Sequence, residues 1–114
     1  FGQGKASLKE QDIVILRRLA RLFSSTPGNI RIEGHTSSDI VPADSIYADA
    51  WSLSLARAAS VLHVFEAEGV NHARLSLAGY GPSKPISVFN SMYSRDKNRR
   101  VDIVVYKPQK RAKH

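Results

Sequence analysis

Two long stretches of helical periodicity, each followed by a short run in which apolar and polar residues alternate, restrict this chain to a small helix-and-sheet sandwich. In the first stretch Ile13, Leu16, Ala20 and Phe23 recur at helical spacing. Val14, Ile15, Leu19 and Leu22 widen the apolar stripe, and Arg17, Arg18 and Arg21 take the polar side. Ser7-Leu8-Lys9-Glu10 ahead of it is a capping-box pattern, and the Ser24–Gly28 cluster with Pro27 closes it. The second helix is expected from about Asp49, a good N-cap residue, to Glu68, with Gly69 as its stop. Trp51, Leu55, Ala58, Leu62 and Phe65 are its expected core-facing stripe.

Strand patterns fill the gaps. Ile30-Arg31-Ile32-Glu33 alternates up to Gly34, Arg74-Leu75-Ser76-Leu77-Ala78 alternates up to the Gly79-Tyr80-Gly81-Pro82 turn, and Val101–Tyr106 is the most β-prone run. A partial strand over Phe1–Ala6 would complete the set, and Ser91–Asn98 suggests a short helix. The expected class is an α/β or α+β sandwich, with both long helices on one face of a small sheet. The stretch from His35 to Asp49 is loop-like and long for so small a domain, a length that often accompanies function.

With 114 residues, 42% of them hydrophobic, the chain can bury one core but not two. The domain is expected over residues 1–107, with a basic tail at 108–114. The sequence has no cysteine, which excludes disulfides and thiolate chemistry and leaves the redox compartment open. No apolar run approaches the roughly 20 residues of a membrane span. Because the chain opens on Phe1 inside an element already under way, it reads as a mature or cut fragment, in which any upstream membrane anchor would not be visible. Seventeen basic residues against ten acidic ones give a net charge of +7, which favours anionic partners. Lys107, Lys110, Arg111 and Lys113 of the tail contribute to it as solvated charges.

Enzyme and cofactor chemistry find little support. His35, His63, His72 and His114 show no metal-ligand spacing, no Gly-x-Ser-x-Gly elbow exists, and Gly79-Tyr80-Gly81 lacks the third glycine of a dinucleotide fingerprint. Nucleic-acid binding rests on basicity alone, without a recognition motif or an aromatic platform. Three segments remain. In Gly34-His35-Thr36 a strand gives way to the polar loop, with a hydroxyl beside exposed N–H groups. In Leu53-Ser54-Leu55-Ala56-Arg57-Ala58 small residues surround one long cation near a helix N-terminus, a setting for an anion and equally for a surface arginine. In Asn98-Arg99-Arg100-Val101 alternation should send the two arginines to opposite faces, so that at most one joins a given site.

These segments, in this order, resemble the OmpA-like domain family, with its Gly-His-Thr-Asp after a strand, its Leu-Ser-x-x-Arg-Ala helix and its Asn-Arg-Arg-Val at the last strand. Arg74-Leu75-Ser76, Gly79-Tyr80-Gly81 and Lys84-Pro85-Ile86 look like the link between the last two. Trp51-Ser52-Leu53-Ser54 and the long loop before it look most like the MotB branch of flagellar stator subunits. The resemblance implies an α+β fold with a βαβαβ-type core and a final strand in a mixed sheet, a periplasmic, cofactor-free domain that grips peptidoglycan without catalysis, a homodimer, and a single-pass inner-membrane protein with a channel-forming partner subunit.

By the same resemblance, Arg57 takes a carboxylate of the diaminopimelate in a peptidoglycan stem peptide, Arg99 supports it, and Thr36 completes the cradle. Ser37, Asp39 and Leu53 belong to the implied contact set. A forked guanidinium suits bidentate carboxylate binding. Two departures stand out. The family's aspartate after Gly-His-Thr is Ser37, a loss of charge that costs on the order of 1–2 kcal/mol, about tenfold in affinity. Asp39 is its nearest substitute, ahead of Asp44, and the family's asparagine three residues before Leu53 is Ala50. A rival reading follows from these losses: an OmpA-like scaffold or dimerisation domain that no longer holds the wall.

Overall fold

The computed structural model describes residues 5–36, 45–83 and 99–107. Within them the chain forms α1 (Glu10–Ser24), β1 (Asn29–Gly34), α2 (Ala50–Ala67), a short 3-10 turn at His72–Arg74, β2 (Leu75–Gly79) and β3 (Val101–Tyr106). The sheet order is β2-β1-β3, with β2 parallel and β3 antiparallel to β1. This is the expected mixed α+β sheet. Ile30 and Ile32 point to one face and pack with Ala20 of α1 and Ala58, Val61 and Phe65 of α2, so both helices cover that same face. Fully burying each large apolar side chain stabilises by about 2 kcal/mol, and Phe23 and Phe65 add a ring contact at 6.1 Å.

Several local expectations shift. The capping box does not form: the N-cap of α1 is Lys9, whose carbonyl takes the N–H groups of Asp12 and Ile13, and no side chain caps the helix. Ser7 lies two residues too early, and Glu10 and Asp12 meet the positive helix end instead. At the other end Ser24, Ser25 and Thr26 donate their hydroxyls to the carbonyls of Arg21, Leu22 and Phe23, which satisfies the last turn. Val14, Ile15 and Leu22 stay largely exposed rather than widening the core stripe.

In α2 the N-cap holds, with Asp49 accepting from the Ser52 N–H at 2.7 Å. The helix ends in a Schellman arrangement, where Gly69 N–H reaches Glu66 and Val70 N–H reaches Phe65. Its buried face is Leu53, Ser54, Arg57, Ala58, Val61 and Phe65, whereas the expected Trp51 and Leu55 are 54% and 46% exposed. Apolar side chains sit all round this helix, so periodicity alone could not select the face. Arg74 belongs to the 3-10 turn and not to β2, because the Asn71 side chain accepts from Ala73 N–H and folds the chain there. Lys5 and Ala6 are outside the sheet, while Phe1–Gly4 and the expected helix at Ser91–Asn98 fall outside the described residues. Among the described residues, no helix is long and apolar enough to cross a membrane.

Candidate functional site

The parallel strands β1 and β2 end side by side at the paired residues Gly34 and Gly79. A methyl group at Gly34 would stand 1.8 Å from the Ser54 carbonyl oxygen, and one at Gly79 would stand 2.9 Å from the Leu55 nitrogen. Only glycine lets the backbone of α2 rest this directly on the strand ends. Ser54 fastens the contact: its hydroxyl donates to Trp51 O at 2.8 Å and accepts from Gly81 N–H at 3.0 Å. Three backbone bonds then stitch the neighbouring turns together, from Tyr80 N to Gly34 O, Thr36 N to Gly81 O and His35 N to Arg100 O. The result is a tight junction of α2 with the carboxyl ends of two parallel strands, the end of a sheet at which crossover folds commonly place their ligands.

Arg57 lies one turn further along α2 and is 1% exposed, which removes the surface-arginine reading. Its Nε donates to Lys5 O at 2.8 Å and its Nη1 to His35 O at 3.0 Å. Burial pushes its pKa down to about 10, the Arg99 charge pushes the same way, and Tyr47 opposes them. A negative guest would relieve both pressures. Thr36 is also buried, and its hydroxyl finds no hydrogen-bond partner among the described residues. Leu53 is buried as an apolar wall. Ser37 and Asp39 lie outside the described residues, as does Asp44.

The two adjacent arginines divide between faces, as alternation requires. Arg99 bears on Arg57 on the helix-covered side, while Arg100 gives its carbonyl to His35 and its Nε to Asp102 at 3.1 Å, on the face that Glu33 shares and the helices do not cover. Both nevertheless sit at the same end of the sheet. Arg99 and Arg100 also line a hollow of about 260 Å³ with Leu8, Asp12, Leu16 and Val61, against α1.

Residues 1–99 match the profile of the OmpA family. The chain belongs to the OmpA family. Motility protein B of Bacillus subtilis (strain 168) is 30% identical over 107 residues, covering 92% of this chain and 41% of that protein. The chain thus spans less than half of that relative. The C-terminal domain of Helicobacter pylori MotB superposes with a TM-score of 0.89 at 24% identity, covering 96% of this chain and 83% of that one. A longer fragment of it, called its periplasmic domain, gives 0.87 at 24% identity over 95% and 69%. The peptidoglycan-associated lipoprotein of Burkholderia pseudomallei gives 0.81 at 25% identity over 93% and 86%.

One cluster of this OmpA family domain escaped the sequence reading. Glu33, His35 and Asp102 bring one ligand-type atom each to within 4.8 Å of one another. Strand geometry explains it, since positions 33 and 35 share a face and Asp102 is the cross-strand partner of Glu33. The histidine ring stacks on Tyr80 at 5.4 Å, and its Nε2 lies 3.2 Å from Asp102. Burial lowers its pKa first and Arg100 next, against the pull of Asp102 and Glu33, so the ring is neutral at pH 7. Arg31 Nε sits 2.7 Å from Glu33 and the Tyr80 hydroxyl 3.2 Å from the same oxygen. With Arg100 on Asp102, both carboxylates already have guanidinium partners, and a metal ion would have to displace them.

Proposed function

We propose that this domain binds peptidoglycan non-covalently and anchors a membrane complex, a flagellar motor stator or a related one, to the cell wall. The observation that carries the reading is the buried Arg57 guanidinium, made more acidic by burial and by Arg99, at the same strand ends as the Thr36 hydroxyl, which has no hydrogen-bond partner among the described residues. Membership of the OmpA family, the motility protein and the peptidoglycan-associated lipoprotein support the choice of ligand and setting. Arg57, with Arg99 behind it, takes a carboxylate of a diaminopimelate-type stem peptide, and Thr36 supplies a hydroxyl. Leu53 contributes an apolar side chain, and the family resemblance assigns the ligand's ammonium group to Ser37 and Asp39. Binding involves no bond-making or bond-breaking. The domain acts in the periplasm as a homodimer, joined through an upstream single-pass anchor to a channel-forming partner subunit.

The test is co-sedimentation of the purified domain with peptidoglycan sacculi. Wild type is retained, and Arg57→Ala is lost from the pellet while circular dichroism shows it folded. Arg57→Lys, which keeps the charge but not the fork, separates a lost contact from a lost fold, because Arg57 also holds two backbone carbonyls. Equal retention of wild type and variants defeats the site.

The engagement of Arg57 with Lys5 and His35, together with Ser37 in place of an acid, favours a second reading: a scaffold or dimerisation domain in which Arg57 is structural. That reading requires wild type itself to stay in the supernatant.

A further inference from the structure

The hollow against α1 is lined by two kinds of chemistry. Its floor is apolar: Val61 of α2 is 2% exposed, and Leu8, Leu16 and Val101 pack against the same core. Ile15 also lines it and is 56% exposed, so the hollow runs from solvent down to the core. The charged lining is weighted to one sign. Lys9 and Arg99 border the hollow, and Arg100 does so while giving its Nε to Asp102. Asp12 is the acid among the lining residues, and it lies in the first turn of α1, where the positive helix end offsets its charge. Arg99 stands on the helix-covered side of the sheet, so its charge belongs to the hollow as well as bearing on Arg57.

We propose that this hollow takes an amphipathic monocarboxylate, its apolar body on Leu8, Leu16, Val61 and Val101 and its carboxylate at Arg99 and Lys9. Size sets the class of ligand. At about 30 Å³ for each water-sized group, 260 Å³ holds about nine of them, the bulk of octanoate or phenylpropionate. The floor is poor ground for water, which needs two to four polar partners that four aliphatic side chains do not offer. An alkyl or aryl body suits it, and a few polar groups at the edge then fix the orientation, the usual division of labour in a small-molecule site. The edge asks for an anion. A guanidinium takes a carboxylate through two parallel bonds, and the ammonium of Lys9 adds a point charge. A single carboxylate is enough, because a second would have to lie on the apolar floor without a partner. The inference stands apart from the peptidoglycan reading: of the residues assigned to that ligand, Arg99 alone lines the hollow.

The test is an NMR titration of the isotope-labelled chain, followed at its backbone amides, with sodium octanoate below its micelle concentration and with 1-octanol as the neutral counterpart. Octanoate should shift the amides of Leu8, Leu16, Val61 and Val101 saturably and bind about tenfold more tightly than octanol. Arg99→Gln should bring octanoate down to the affinity of octanol. Ile15→Glu places a like charge at the exposed wall, where the fold tolerates it, and should weaken octanoate about threefold to tenfold while leaving octanol unchanged. Equal affinities for the two probes overturn the carboxylate site, and so does the absence of saturable shifts. Shifts centred on Gly34, Thr36 and Leu53 overturn it too, since they put the anion at Arg57. Should Arg99→Gln fail to fold, the wild-type affinity ratio and Ile15→Glu still decide. Sacculi take no part in the measurement, so its failure leaves wall binding untouched, and a failure of wall binding leaves the hollow standing.

Discussion

Arg57 and Arg74 mark opposite ends of β1, and both donate to backbone carbonyls, but in different surroundings. Arg74 spends its Nε and both terminal nitrogens on the carbonyls of Gly28, Phe23 and Thr26, at 2.7, 2.8 and 2.7 Å, and so clamps the turn between α1 and β1. Arg57, at the other end, donates to Lys5 and His35 from a buried position where its charge is under pressure from Arg99. A fork that saturates carbonyls at a half-buried turn is a fastening. A buried fork beside a second cation is, on the proposed reading, where an anion would gain. The ends also differ in how they are built: backbone contact through Gly34 shapes the Arg57 end, whereas side-chain bonds hold the Arg74 end.

The comparison can be broken from either side. Gly34→Ala should have the largest effect, because its methyl would meet the Ser54 carbonyl at 1.8 Å and α2 must lift from the sheet. A loss of about 3 kcal/mol or more is expected in urea unfolding, with peptidoglycan retention falling as Arg57 shifts with the helix. Arg74→Ala comes next. Three lost bonds to carbonyls should cost about 2–3 kcal/mol, and Arg74→Lys should recover less than half, since an ammonium cannot fork to three acceptors. The folded Arg74 variants should still sediment with sacculi, and a parallel loss of binding would erase the distinction between the two arginines.

The smallest effect is a pH signature confined to the Arg57 end. Its folded pKa, about 10, lies below the ordinary arginine value, so between the two the unfolded chain holds this proton when the folded chain does not. The burial penalty of the cation is therefore full below pH 10 and is relieved as pH rises through it. Measured against Arg57→Met, wild type should gain roughly 1 kcal/mol of relative stability between pH 8 and pH 11. A flat difference would mean that the guanidinium is not desolvated.

Much of the architecture was legible because it is written in local terms. The α2 boundaries follow from Asp49 as a cap and Gly69 as a stop, and the strand positions follow from alternation. The ordered motifs around Thr36, Arg57 and Arg99 led to one end of the sheet, although Ser37 and Asp39 lie beyond the described residues. What failed was decided across the chain. The Glu33–His35–Asp102 cluster needs the antiparallel register of β1 and β3, which also brings Arg100 to Asp102.

By itself, then, the amino-acid order set the elements, the caps of α2 and the family, since periodicity, capping and turn chemistry act within a few residues of one another. Which face of an all-round apolar α2 goes inward, and whether Arg57 meets water or carbonyl oxygens, was settled only by packing. Two glycines 45 residues apart in sequence and paired in the sheet let one helix settle onto two strand ends, and that contact carried the guanidinium out of solvent.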